Sequence, residues 1–222
     1  MKIKAVALDL DGTLINTEPY YFQLMSTVLK QELGYELTQE EYDKYFLGLT
    51  TLAGMENMTE VLHGSRDEGQ ALKLLGKVRE IAPKISQRIS PVLFDGAMEL
   101  VSFLRERRIP FLLVTNARRA VIESRPQWYK MPELVGNDFS KLITFEDAKA
   151  AKPDPAPYIE AAKRLGVKPE EMLVVEDTDQ GVEAGHQAGA IVARVHTESN
   201  GQENHHFTNL KQLVGHLRSE LG

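Results

Sequence analysis

Val6-Ala7-Leu8-Asp9-Leu10-Asp11-Gly12-Thr13-Leu14 is the stretch from which the fold of this chain can be read. The run from Ile3 to Leu8 is mostly apolar, as expected of a strand buried on both faces of a parallel sheet. It stops at two carboxylates spaced i and i+2, followed by a glycine. In a strand those two acids start on the same side, and Gly12 frees the backbone to bend away. A sheet core has no use for acids there, whereas ligands of open α/β sheets bind just beyond the carboxyl ends of strands. A lone D-x-D-G stretch is commonly a turn or a helix cap, so the remaining strands carry the decision.

Working outward, residues 10–18 read as an irregular linker. Helices are expected at 19–33 (Tyr21, Phe22, Met25, Val28 and Leu29 on one face), 38–46, 52–62 and 66–89, the last with a break or kink near Pro83. Thr38 and Glu41 have the spacing of a capping box. No strand is expected between 16 and 90, so this stretch is an all-helical insertion. Residues 91–96 return the chain, and a helix follows at 97–107. Further strands are expected at 111–114, 142–145, 172–175 and 190–195. Between them come a helix near Ala117 cut short by Pro126 and Pro132, a helix led by Asp154-Pro155 as N-cap and N1, and one over 181–188 with Asp179 as its cap. A polar loop over 196–206 precedes a terminal helix at 208–220. Trp128 and Tyr129 read as packing residues, and His186 and His205-His206 as bystanders. Alternating strands and helices predict an α/β fold: a Rossmann-like parallel sheet with helices on both faces, formed by 1–15 and 91–222, and an inserted helical cap, 16–90.

Three predicted strands end in polar residues: Asp9 to Asp11, Thr115-Asn116 and Glu176-Asp177. Parallel strands bring these ends to one sheet edge. Two unit charges about 4 Å apart repel by roughly 4 kcal/mol at an effective dielectric near 20, so Asp9, Asp11, Glu176 and Asp177 call for a cation or a shared proton. Every candidate ligand is an oxygen, which suits Mg²⁺ better than Zn²⁺, and Mg²⁺ favours a phosphate substrate. Thr115 offers a hydroxyl at a strand end, though it also reads as a helix cap. Lys152 lies just before a helix and can bring a point charge to a phosphate, though a single lysine is more often a solvated surface group.

The 222 residues permit one α/β domain with an insertion. The formal charge of −6 disfavours nucleic acid or an anionic membrane as partner. There is no cysteine, so thiol chemistry is excluded. No run has the length of a membrane span, and the first apolar run, broken by Asp9 and Asp11, does not read as a signal peptide. The expectation is a cytoplasmic protein.

The ordered set Asp9-Leu10-Asp11-Gly12-Thr13, Thr115-Asn116, Lys152-Pro153 and Glu176-Asp177 resembles the haloacid dehalogenase-like hydrolase superfamily. It looks most like the group of β-phosphoglucomutases, phosphoglycolate phosphatases and sugar-phosphate phosphatases with a helical cap. The resemblance implies a Mg²⁺-dependent phosphatase acting on a small phosphorylated metabolite. It implies that Asp9 attacks phosphorus and forms an aspartyl phosphate, and that Asp11 protonates the leaving oxygen and then activates water. It also implies that Asp9, the Asp11 carbonyl and Asp177 hold Mg²⁺, with Glu176 in or beside that shell. Thr115, Asn116 and Lys152 would serve the phosphoryl oxygens. The linkers at 13–18 and 90–96 would let the cap open and close, and cap residues 45–52 would set specificity. The mutase relatives carry a cap arginine where this chain has Gly48-Leu49-Thr50-Thr51, which counts against a β-phosphoglucomutase-type phosphomutase. Arg118 occupies a position where relatives often carry a cation, and 121–140 departs from the family pattern. From another class, a phospho-accepting receiver uses similar residues but is shorter and lacks the insertion. The intact set Asp9, Asp11, Thr115, Lys152 and Asp177 argues against an inactive, binding-only relative.

Overall fold

The computed structural model describes residues 3–47 and 49–221. Gly48, and with it one end of the expected cap loop, lies outside the described residues. The strands are β1 (Ala5–Asp9), β2 (Ile15–Asn16), β3 (Val92–Leu93), β4 (Phe111–Val114), β5 (Leu142–Ile143), β6 (Met172–Glu176), β7 (Ile191–Val195) and β8 (His205–Phe207). The helices are α1 (Glu18–Leu33), α2 (Gln39–Tyr45), α3 (Thr51–His63), α4 (Glu68–Ser86), α5 (Ala97–Glu106), α6 (Arg119–Ser124), α7 (Met131–Val135), α8 (Phe145–Ala148), α9 (Ala156–Leu165), α10 (Asp179–Gln187) and α11 (Leu210–Leu221). The chain divides into two compact units, Met1–Asn16 with Val92–Gly222, and Thr17–Pro91.

The first unit is a six-stranded parallel sheet in the order β5-β4-β1-β6-β7-β8. Every residue of β1, β4 and β6 is buried, which is why these strands read as continuous apolar runs. Ala7, Leu112, Val114 and Val174 join Tyr158, Ala161, Val182 and Ala184 of α9 and α10 in one core. The alternate residues Val6, Leu8, Leu113, Leu173 and Val175 are equally buried, so the other face is covered as well. Helices α5 and α11 pack on one another, burying Leu100, Val101 and Leu104 on α5 and Leu213, Val214 and Leu217 on α11. The antiparallel pair β2–β3 sets the outgoing and returning chain side by side, Ile15 opposite Leu93 and Asn16 opposite Val92.

The second unit contains α1 to α4. Tyr20, Leu24, Met25, Val28 and Leu29 form the buried face of α1. Tyr21 and Phe22, expected on that face, are only half-buried; the apolar stripe starts one residue earlier and steps by four. Thr38 and Glu41 form the expected capping box. Helix α4 packs on α1 and α3 and runs through Pro83 to Ser86 rather than stopping there.

Several sequence expectations are corrected. The strand expected over 142–145 ends at Ile143, because the Thr144 N–H and hydroxyl both donate to Asp147 Oδ2, at 2.9 and 2.7 Å, and start α8. The polar loop over 196–206 ends in a strand, β8, on the edge of the sheet. Pro155, not Asp154, takes the N-cap position of α9, while Asp154 Oδ1 accepts from the Ala156 N–H at 2.8 Å. Helix α10 is capped by Thr178, whose hydroxyl oxygen accepts from the Gly181 N–H at 3.1 Å. Asp179, expected as that cap, is instead exposed and paired with Arg194. Trp128 and Tyr129 are buried edge-to-face, with ring centroids 4.7 Å apart.

Candidate active site

Sheet register brings the acids together. Asp9 pairs with Val114 across β1 and β4, and Leu8 with Val175 across β1 and β6. The residues at the carboxyl ends, Asp9, Thr115 and Glu176-Asp177, therefore share one sheet edge. After Asp9 the chain folds into a tight loop, closed by Gly12 N–H to the Ile15 carbonyl at 2.9 Å and Ile15 N–H to the Leu10 carbonyl at 3.0 Å. Gly12 has φ +86°, and a Cβ there would lie 2.2 Å from Asp177 Oδ2. A Cβ on Gly181 would lie 1.9 Å from Glu176 Cδ. Both glycines vacate the space that a carboxylate fills.

Lys152 ties the centre. Its Nζ donates to Asp9 Oδ1, to Glu176 Oε1 at 2.5 Å and to the Val114 carbonyl at 3.1 Å. An ammonium has three N–H donors, so the group is saturated. Asn116 acts on the same residue through the backbone, its Oδ1 accepting from the Lys152 N–H at 3.0 Å. The Thr115 hydroxyl donates to Asp11 Oδ2 at 3.4 Å and accepts from the Ala117 N–H at 3.0 Å, a local turn; it is not the helix cap the sequence suggested, since α6 starts at Arg119 with Arg118 at its N-cap. Thr13 donates to Asp177 Oδ1 at 2.8 Å, and the Thr197 hydroxyl to the Asp177 carbonyl at 2.5 Å. His196 Nε2 lies 3.0 Å from the Thr13 carbonyl and its ring stacks on Phe94 at 4.0 Å. Arg118 is exposed, its guanidinium over the Phe145 ring at 5.7 Å.

Burial pushes the Asp9 carboxyl well above the usual carboxylate range, and Glu176 pushes it the same way; the Lys152 charge opposes both. Burial works against the Lys152 ammonium, but Asp9 and Glu176 outweigh it and hold its pKa above the ordinary lysine value. Lys152 is thus a permanent cation. Burial lowers the His196 pKa, so near neutral pH its Nε2 donates to the Thr13 carbonyl as a neutral imidazole.

One oxygen from each of Asp9, Glu176 and Asp177 lies within 4.8 Å of the others. Asp9 Oδ2 is buried with no hydrogen-bond partner among the described residues. A buried acceptor without a donor is costly, and a cation beside it would satisfy it. The all-oxygen donor set fits a hard divalent ion.

The seven residues singled out in the sequence gather by their hydrogen bonds into two groups: Lys152 joins Asp9 and Glu176, with Asn116 on the Lys152 backbone and the Asp177 N–H donating to Glu176, while Thr115 bonds to Asp11. The sequence did not point to Thr197, Gly181, His196 or Tyr158, whose hydroxyl donates to Glu176 Oε1 at 2.5 Å. Tyr158 lies on the apolar face of α9, and nothing in its spacing separates it from an ordinary core aromatic. No helix among the described residues is long and apolar enough to cross a membrane.

Comparison with known proteins agrees with this geometry. A family model described as haloacid dehalogenase-like hydrolase matches residues 3–189. A phosphorylated carbohydrates phosphatase of Thermotoga maritima is 30% identical over 208 residues, covering 90% of this chain and 89% of that protein. Hexitol phosphatase A of Escherichia coli is 28% identical, covering 88% and 84%. Among solved structures, a HAD family hydrolase from Deinococcus radiodurans, crystallised with bound phosphate and sodium, superposes with a TM-score of 0.78 at 24% identity over 99% of this chain and 97% of that one; that likeness speaks for the fold. With a family match along most of its length and phosphatases among its relatives, this chain belongs to the haloacid dehalogenase-like hydrolases and is one of their phosphatases.

Proposed function

We propose that the chain is a Mg²⁺-dependent phosphatase that hydrolyses a small phosphorylated metabolite, of the sugar-phosphate kind, through an aspartyl phosphate on Asp9. The observation that carries this reading is the state of Asp9: buried beside Glu176 and Asp177, with one oxygen on Lys152 and the other without a hydrogen-bond partner among the described residues. The relatives whose names mention phosphorylated carbohydrates and hexitol support the substrate class.

In the first step an Asp9 carboxylate oxygen bonds to phosphorus as the ester P–O bond breaks, and Asp11 gives its proton to the leaving oxygen. In the second, Asp11 takes a proton from water, the water oxygen bonds to phosphorus, and the Asp9–phosphoryl bond breaks to release inorganic phosphate. Thr115 stands beside Asp11 to hold a phosphoryl oxygen and Lys152 stands beside Asp9 as a point charge that attracts the phosphoryl group, so most of the catalysis is positioning and electrostatics. Asn116 contributes by fixing the Lys152 backbone. Asp9, Asp177 and the Asp11 carbonyl would hold Mg²⁺, with Glu176 beside them. When bound, Mg²⁺ neutralises charge on the phosphoryl group.

Phosphate release is to be measured from a panel of sugar phosphates, phosphoglycolate and nucleotides, with Mg²⁺ and with chelator, against Asp9→Asn protein. The expected result is Mg²⁺-dependent release that Asp9→Asn abolishes. No release from any ester would overturn the reading.

A further inference from the structure

Tyr158 is fully buried on α9, yet its hydroxyl does not point into apolar packing. It donates to Glu176 Oε1 at 2.5 Å, the same oxygen that accepts from Lys152 Nζ. The face of its ring lies under that same ammonium, with Nζ 5.2 Å from the ring centroid. The other Glu176 oxygen, Oε2, accepts from the Asp177 N–H at 3.2 Å and from the Thr178 hydroxyl at 3.3 Å. Gly181 supplies the remaining wall, with no room there for even a methyl group. Glu176 is therefore held by donors at both oxygens.

We infer that Tyr158 is a positioning residue for the phosphoryl-transfer site: it fixes Glu176 and, through the Glu176 carboxylate and its own ring face, sets where the Lys152 ammonium stands relative to Asp9. The inference rests on the phosphatase reading of the site, which it deepens.

Three physical points support it. The phenol is an O–H donor, and here it faces a carboxylate oxygen, which only accepts. A charge-assisted O–H···O⁻ bond is short and directional, and it removes the rotational freedom of a carboxylate that otherwise answers to Lys152 alone at Oε1. The ring face attracts the ammonium, an effect that grows when water is excluded. Lys152 is thus drawn toward Asp9 on one side and restrained by the Tyr158–Glu176 pair on the other. A displacement of about 1 Å in such a group costs on the order of 10²-fold in rate.

The test is Tyr158→Phe, which keeps the ring and its packing and removes only the hydroxyl. Two measurements are needed. In substrate-free protein, the Lys152 side-chain Hζ–Nζ NMR resonance is expected to shift or broaden relative to wild type, because Glu176 loses one of its two Oε1 donors. In steady-state assays on a phosphate ester that wild type hydrolyses, kcat is expected to fall roughly tenfold, about 1.36 kcal/mol of barrier, with KM within about twofold. The thermal midpoint, read in parallel, confirms that the variant is folded. Tyr158→Leu, which also removes the ring, is expected to lower kcat further. A folded Tyr158→Phe protein with unchanged Lys152 resonances and wild-type kcat would overturn the inference, leaving Tyr158 a packing residue. The NMR arm needs no turnover. A wild-type protein that hydrolyses no ester would sink the phosphatase reading while the Lys152 resonance still reports on the Tyr158 contact.

Discussion

Asp9 and Asp147 are both carboxylates that meet cations, and their environments drive them in opposite directions. Asp147 accepts from Arg119 at 2.7 Å, from Arg164 at 2.7 Å and from the N–H and hydroxyl of Thr144. Burial raises its pKa, but those donors outweigh burial and hold it well below the usual range. Asp9 shares its cation, Lys152, with Glu176, and burial together with the Glu176 charge raises its pKa against the pull of Lys152. The first acid is satisfied and joins α6, α8 and α9. The second is kept short of donors at the end of a buried strand. Stability comes from carboxylates whose needs are met; reactivity needs one whose needs are not, and such sites are where proteins accept local cost.

The sharpest way to break this contrast is Asp9→Asn, which keeps size and one acceptor but loses the nucleophile. Phosphate release is expected to fall by at least about 10³-fold in a protein whose circular dichroism is unchanged; residual activity near wild type would remove Asp9 from the chemistry. Lys152→Ala comes next. It leaves Asp9 and Glu176 buried without their shared cation, and loss of about 3–5 kcal/mol is expected in urea unfolding without added metal. Added Mg²⁺ is expected to recover part of that loss, by mass action on the folded state. Gly181→Ala drives a methyl group into Glu176 and is expected to cost about 1–3 kcal/mol, with kcat falling alongside, since the carboxylate has to move.

The smallest effect belongs to the satisfied acid. Asp147→Asn is expected to cost about 1 kcal/mol at pH 7 and nothing in kcat. Its pH dependence follows from the lowered folded-state pKa. The wild-type advantage is fully present above the unfolded value near 3.9, a reference figure of about that size. It is lost as pH falls below that value toward the folded one, because protons then bind first to the unfolded chain. Unfolding curves of the two proteins at pH 7, 5, 3 and 2 check this: the gap is constant from 7 to 5 and closes below 4.

The candidate site was more legible in the sequence than the edges of the fold. Asp9, Asp11, Thr115, Glu176 and Asp177 could be collected because they follow apolar runs, and parallel strands align such ends; Lys152 was collected for its place just before a helix. The strand β4 over 111–114 has the bounds expected of it. By contrast, β8 is three residues, His205-His206-Phe207, too short and polar to read as an apolar run. It exists because β7 offers an edge to pair with. Pairs β2 and β3 are two residues each and likewise form only because the chain passes itself. Strand β5 stops early because a capping box at Thr144 and Asp147 outcompetes the ladder.

What the sequence by itself determined is the class of chemistry and the sheet that carries it. Carboxylates and a threonine end buried runs, and the cost of grouping those charges calls for a cation or a shared proton. What only the tertiary structure decided is which oxygen each donor serves. That Lys152 bridges Asp9, Glu176 and Val114, that Gly12 and Gly181 make room for Asp177 and Glu176, and that a core tyrosine reaches the same carboxylate are matters of a few tenths of an ångström. Hydrogen bonds and steric contact are set by distance and direction. Residue spacing along the chain carries neither across the 143 positions separating Asp9 from Lys152.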